Sequence, residues 1–329
     1  MSSKDRKKEF SRNTSLETFL PNLNDLLSGA NNDLVSDVQE KLPKIFIVGP
    51  LRSGTTLFTQ WLASTGLVGY PTNLLSRFYA APLVGLQIQK LLTDPVYNFR
   101  DEILDFKSDI NFSSDNGKTK GALAPNEFWY FWRRFLPYRE FDYAPPEVMR
   151  REGSLDGLRD ELNGLANNLE KPFMLKAMIM NQNLLELNDL FDKCIFVWLK
   201  RDPLANIESA LKARERQYGD IEKWYSFKIK EYLDLIELDP IKQVAGQIHH
   251  TNQSLEEGFN KLEDHKKLIV KYEDFCSDPK YFYDTLSKMI EYHGGASFPE
   301  YSFENRFEVT RPHVTDPALV DALRYFQGI

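Results

Sequence analysis

The stretch "IFIVGPLRSGTTLFTQWL", residues 45–62, decides the fold. Ile45 to Val48 are four consecutive apolar residues, a short buried strand. Gly49 opens a polar turn, and Gly54-Thr55-Thr56 leads into an amphipathic helix expected over Thr56–Ser64. A strand, a glycine-bounded turn and a helix in this order make an anion-binding loop. The backbone N–H groups of Ser53 to Thr56 lie at the positive end of the helix. A nucleoside-triphosphate loop reads G-x-x-x-x-G-K-[ST], its lysine reaching the outer phosphates and its hydroxyl holding magnesium. Here Gly49 and Gly54 keep the spacing, Thr55 stands at the lysine position and Thr56 at the hydroxyl position. Arg52 adds a planar, two-pronged donor for oxyanions inside the turn. The pattern suits a 5′-phosphate bearing a second anionic group and needs no metal.

A second anion site lies in "FVWLKRDPLANIESAL", residues 196–211. Arg201 falls just past a buried strand, Asp202-Pro203 begins a helix, and Ser209 sits near its start. An arginine and a serine so placed clamp a phosphate with charge and hydroxyl. Two anion sites on neighbouring strand ends match a nucleotide phosphorylated at both its 5′ and 3′ positions.

The rest of the chain supplies the frame. "PFMLKAMIM" (172–180), "KCIFVWLKRDP" (193–203) and "KKLIVKYEDF" (266–275) read as further buried strands. Helical patterns separate them: "LDGLRDELNGLANNLEK", "NLLELNDLF" and most of 204–264, broken near Gly219-Asp220 and Asp239-Pro240. Short apolar strands alternating with helices predict a P-loop-like, three-layer α/β/α fold around a central parallel sheet. This α/β domain is expected over 44–329, after a loosely attached helical arm over 1–43 that stops at Pro43. The aromatic run in "NEFWYFWRRFLPYREFDY" (126–143) reads as a helix packed into the core, with Arg133 and Arg134 solvated. With 329 residues, 42% hydrophobic and a net charge of -7, the chain carries no basic field for nucleic acid. The two cysteines, Cys194 and Cys276, are expected as buried thiols. The start lacks an apolar leader and no run approaches the ~20 apolar residues of a membrane span, so a cytoplasmic protein is expected.

"GPLRSGTTL", "FVWLKRDPLANIESAL" and "LIVKYEDF", in this order over about 45–275, resemble the sulfotransferases that use 3′-phosphoadenosine 5′-phosphosulfate (PAPS). The arginine-bearing loop is similar to the bacterial carbohydrate and protein-tyrosine branches. The resemblance implies that Arg52, Ser53, Gly54, Thr55 and Thr56 hold the 5′-phosphosulfate. It assigns the 3′-phosphate to Arg201 and Ser209, and the neighbourhood of the adenine to Tyr272. It also implies PAPS as co-substrate, with 3′-phosphoadenosine 5′-phosphate (PAP) as product, and a hydroxyl acceptor, a carbohydrate or glycolipid.

Sulfuryl transfer needs a general base, neutralisation of the sulfuryl oxygens and help for the departing phosphate. Arg52 and Lys176 are candidates for the last two. The phenol-type members carry a histidine two residues after their lysine, and that position is Met178 here. His249, His250, His265 and His293 read as surface residues, and His313 lies in the tail. The protein-tyrosine branch uses a glutamate, where this chain has "YPTNLLSR" with Asn73 and Arg77 but no carboxylate. Glu127, beside the aromatic run, is the remaining candidate for the base, partial burial raising its pKa. Arg306 and Arg311 are candidates for a C-terminal contact to the 3′-phosphate. Three functions stay open at this point: a PAPS-dependent sulfotransferase, a P-loop kinase or nucleotide hydrolase, and an inactive PAP-binding protein.

Overall fold

The computed structural model describes residues 6–7, 10, 13–35, 38–97, 114–115, 118–309 and 316–328. Six strands occur among them: β1 (Lys44–Val48), β2 (Ser114–Asp115), β3 (Lys118–Thr119), β4 (Phe173–Lys176), β5 (Cys194–Lys200) and β6 (Lys267–Lys271). β2 and β3 form a two-residue hairpin; the other four make one parallel sheet in the order β4-β1-β5-β6. β1 lies between β4 and β5, with Lys44 opposite both Phe173 and Cys194.

Alternation along each strand sends side chains to two separate cores. Phe46, Val48, Leu175, Phe196 and Trp198 face one core, which holds the helix Leu155–Leu169 and the aromatic run. Ile45, Ile47, Met174, Val197 and Val270 face the other, with the helices Thr55–Ser64 and Pro279–Tyr292. Covering both faces is what makes strands of a parallel sheet read as unbroken apolar runs. Every strand of the sheet therefore ends its C-terminal side at one edge of the same layer, where the loops after β1, β4 and β5 meet.

Several local expectations change. "PFMLKAMIM" is a strand only to Lys176; Met178–Met180 form a 3₁₀ turn that brings Asn181 back beneath the first loop. The aromatic run holds just one short helix, Trp129–Arg133, which starts only after Phe128, left-handed at φ 58°. Phe128, Phe131, Trp132 and Phe135 do enter the core, with the Phe128 and Phe131 rings stacked at 4.5 Å. Arg134 is not simply solvated: it forms a two-pronged bridge at 2.8 and 2.9 Å to the buried Glu161. Burial raises that carboxyl, and Arg134 opposes the shift. The N-terminal helix runs over Thr14–Val35 and is pinned rather than loosely attached. Its buried Asn24 donates to the Arg77 carbonyl at 2.8 Å, and its buried Asn31 to Glu161 at 3.1 Å.

Among the described residues no helix is long and apolar enough to cross a membrane. Cys194 and Cys276 are both free and buried. Burial pushes the Cys194 thiol up to about 12 and raises that of Cys276, so thiolate is scarce at neutral pH. A disulfide-exchange reagent such as Ellman's is expected to leave both unmodified in the native protein and to titrate both once it is denatured. Rapid labelling of native protein would contradict this burial.

Candidate active site

Ile47 and Val48 are wholly buried, so the chain leaves β1 through a turn fixed at both ends by glycine. Gly49 has φ 147°, and a Cβ there would lie 2.7 Å from the Leu199 carbonyl oxygen. Gly54 has φ 95°, and its Cβ would lie 2.3 Å from the Tyr272 ring. Arg52, between them, is itself left-handed at φ 62°, a conformation rare for a residue with a side chain. The carbonyls of the turn are tied back from three directions. Asn181 Nδ2 donates to Gly49 at 2.9 Å, Asn206 Nδ2 to Leu51 at 3.2 Å and Arg201 Nη1 to Arg52 at 2.9 Å. The helix that follows starts at Thr55 with glycine at its cap, so no capping side chain can take its first N–H groups. Donors at this end are thus left open to an anion, with the helix dipole behind them.

The lysine missing from the loop arrives from the neighbouring strand. Lys176, the last residue of β4, is 4% exposed and donates to Thr56 Oγ1 at 2.7 Å and Glu127 Oε1 at 3.0 Å. The Trp132 indole donates to the Lys176 carbonyl at 3.0 Å and fixes the strand end. Glu127 reaches the site because Asn126 is docked on the 71–73 segment, its N–H donating to the Pro71 carbonyl at 2.7 Å. Its second oxygen accepts from the Trp129 indole at 2.7 Å. Thr55 Oγ1 contacts Met178 Sδ at 3.5 Å.

The residues expected to form a second anion site adjoin the first loop directly. Arg52 Nε donates to Ser209 Oγ at 3.0 Å, while Arg201 crosses the other way to the Arg52 carbonyl. The Arg201 guanidinium lies over the Tyr272 ring, 4.7 Å from its centre, and the edge of that ring abuts Gly54. Arg201, at the end of β5, and the loop after β1 are neighbours because β1 and β5 pair side by side. Arg52, Ser53, Gly54, Thr55, Thr56, Lys176, Glu127, Arg201, Ser209 and Tyr272 thus form one contiguous constellation. One buried hydroxyl at its centre, Ser53 Oγ, has no hydrogen-bond partner among the described residues. An oxyanion held in the loop satisfies such a donor, so the residues fit a phosphate or sulfate group.

Other candidates stay outside. His249 and His250 pack on Phe326. His265 and His293 pair with each other at 5.3 Å. His293 is buried, contrary to the surface reading, with Nε2 3.1 Å from the His265 carbonyl oxygen. Arg306 is exposed, and Arg311 and His313 lie outside the described residues. Asn73 and Arg77 are structural: the Asn73 amide bonds Gly121 and Thr119, and the Arg77 carbonyl receives Asn24.

Sequence reasoning missed Asn181, Asn206, Trp129 and Tyr225. Asn206 was within reach, since it lies three residues before Ser209 and so on the same side of the helix. Asn181 and Trp129 follow only from the 3₁₀ turn and the left-handed Phe128. Burial raises the Tyr225 phenol, the Arg52 charge opposing and Glu127 adding to the shift.

A family profile described as the sulfotransferase family matches residues 43–294. Sulfotransferase STF9 from Mycobacterium avium superposes with a TM-score of 0.54 at 16% identity, over 92% of this chain and 80% of that one. Sulfotransferase STF1 from Mycobacterium tuberculosis H37Rv gives 0.49 at 15% identity, over 83% and 73%. The sulfotransferase domain of the Synechococcus PCC 7002 olefin synthase gives 0.44 at 16%, over 88% and 96%. At these identities the first likeness is one of fold. No curated protein matches the chain. The profile spans every strand of the parallel sheet and the loops after β1, β4 and β5, and the chain belongs to the sulfotransferase family.

Proposed function

We propose that the protein transfers a sulfuryl group from PAPS to a hydroxyl of a carbohydrate or glycolipid. The observation that carries this reading is the direct linkage of two cationic sites at adjacent strand ends, Arg52 to Ser209 and Arg201 to Arg52. One nucleotide bearing a 5′ and a 3′ anionic group fits such a pair; a simple nucleoside triphosphate does not need the second. Thr55 at the lysine position and Lys200-Arg201 at the end of β5 argue against a magnesium-dependent kinase.

Arg52, Ser53, Gly54, Thr55 and Thr56 hold the 5′ end in this reading, Arg201 and Ser209 the 3′-phosphate, and Tyr272 borders the adenosine. PAPS supplies, when bound, a sulfuryl group already activated as a mixed anhydride with phosphate. Lys176 and Arg52 place positive charge where negative charge gathers on the sulfuryl and phosphate oxygens. Glu127 accepts the proton of the acceptor hydroxyl at its carboxylate. The cleft beside Lys176 is lined by Thr56, Thr59, Gln60, Thr119 and Asn126. No residue of this constellation calls for a metal, and the assignment places none.

Calorimetric titration with PAP in the presence of a chelator tests the reading. Tight binding without magnesium is expected. Arg201→Ala is expected to weaken it about 10- to 100-fold, the range for a charged hydrogen bond. Absence of binding, or a strict magnesium requirement, would overturn the reading. A screen of saccharide and phenol acceptors with PAPS then separates an enzyme from a protein that only binds PAP.

A further inference from the structure

We infer that the 5′ and 3′ anion sites form one cooperative unit, wired through Arg52 and Ser209; this rests on the nucleotide reading above. Arg52 occupies a left-handed conformation that a residue with a side chain adopts only when its surroundings enforce it. The turn closed by the Ser53 N–H on the Pro50 carbonyl at 3.4 Å places it there, and two further bonds tie it to its neighbours. The Arg52 carbonyl accepts from Arg201 Nη1 at 2.9 Å, and Arg52 Nε donates to Ser209 Oγ at 3.0 Å. Both partners belong to the 3′ site, whereas Arg52 belongs to the 5′ loop.

The chemistry of the Ser209 bond leaves a donor for an anion. A serine hydroxyl that accepts from a guanidinium still has its own proton to give. Accepting from a cation also polarises that O–H and strengthens its donation. Arg201 Nη1 holds the Arg52 carbonyl from the other side. A phosphate that accepts the Ser209 proton therefore immobilises the group that holds the Arg52 side chain. An anion in the 5′ loop immobilises Arg52, and with it the groups that face the 3′ site. Linkage makes the effect equal in both directions. A nucleotide lacking either phosphate loses the missing contact and also the ordering of the opposite site. This favours doubly phosphorylated adenosines beyond the sum of their contacts.

The test uses three probes, PAP, adenosine 5′-monophosphate (AMP) and adenosine 3′-monophosphate, titrated calorimetrically against the full chain. AMP has no 3′-phosphate with which to touch Ser209. Ser209→Ala is nonetheless expected to weaken AMP binding roughly 5- to 10-fold, at the low end of typical couplings between sites. Ser209→Thr, which keeps the acceptor oxygen, is expected to restore it. Arg52→Lys, which keeps the charge but loses Nε, is expected to weaken adenosine 3′-monophosphate by a similar factor. Melting curves confirm that each variant is folded. If Ser209→Ala weakens PAP but leaves AMP binding unchanged, the wiring is refuted and the nucleotide reading survives. If the wild-type protein binds none of the three, the nucleotide reading itself falls, and the wiring with it.

Discussion

Gly54→Ala is expected to lower PAP affinity more than ~100-fold and to destabilise the fold by about 2–5 kcal/mol. The added Cβ would lie 2.3 Å from Tyr272 Cδ2 and 2.9 Å from Cε2, far inside carbon–carbon contact. Tyr272 cannot step aside easily. It is 6% exposed, opens the helix Tyr272–Ser277 and sits under the Arg201 guanidinium. The backbone adds its own penalty, because φ at Gly54 is 95°. Relief requires either the loop to swing away from the ring or the ring to move and carry Arg201 with it. The first re-aims the N–H groups at the start of the helix, and the second displaces the 3′ site. Gly66→Ala is the control: φ there is 69°, but nothing lies within 4 Å of the new Cβ. It is expected to cost about 1 kcal/mol and to leave PAP binding intact. Denaturant titration and PAP calorimetry on both variants check the pair. Unchanged PAP affinity in Gly54→Ala would mean that the anion is held elsewhere.

That one loop made most of the fold legible, for a physical reason. An unbroken apolar strand before Gly49 announces burial on both faces, and only a parallel sheet covered by helices provides that. The same periodicity located β5 and β6, and the spacing from Arg201 to Ser209 picked out two residues that the fold brings onto Arg52. What stayed hidden depends on backbone conformations that no spacing encodes. Phe128 in a left-handed φ delays the start of the helix to Trp129, whose indole turns back onto Glu127. The turn at Met178–Met180 folds Asn181 under Gly49. The resemblance placed a histidine base where this chain has Met178, and the surface reading of His293 failed because its ring is buried with Nε2 against the His265 carbonyl. Lys176 was legible as a strand-end lysine, but its convergence on Thr56 is a product of the β4-β1 pairing alone.

Glu127→Gln is expected to lower kcat about 100- to 1000-fold while PAP affinity changes by no more than a few-fold. Glutamine copies the shape of the side chain, and its carbonyl oxygen still accepts from Lys176 or from the Trp129 indole. What it loses is the capacity to take a proton. A side chain that only steadies Lys176 would tolerate this change, and kcat would then fall less than ~10-fold. Lys176→Met separates the two roles from the other side. It preserves the apolar stem in its buried position but removes the ammonium from both Thr56 and Glu127. Its expected loss is about 100- to 1000-fold in kcat, from lost charge opposite the transferring group. PAP affinity should also drop, because Thr56 belongs to the anion loop. The measurement is PAP release with a saccharide acceptor from the screen, set beside calorimetric PAP affinity for each variant. A kcat loss without an affinity loss at Glu127, and with one at Lys176, assigns the proton to the carboxylate and the charge to the ammonium. Equal, small losses at both would return them to an ion pair that merely braces the end of β4.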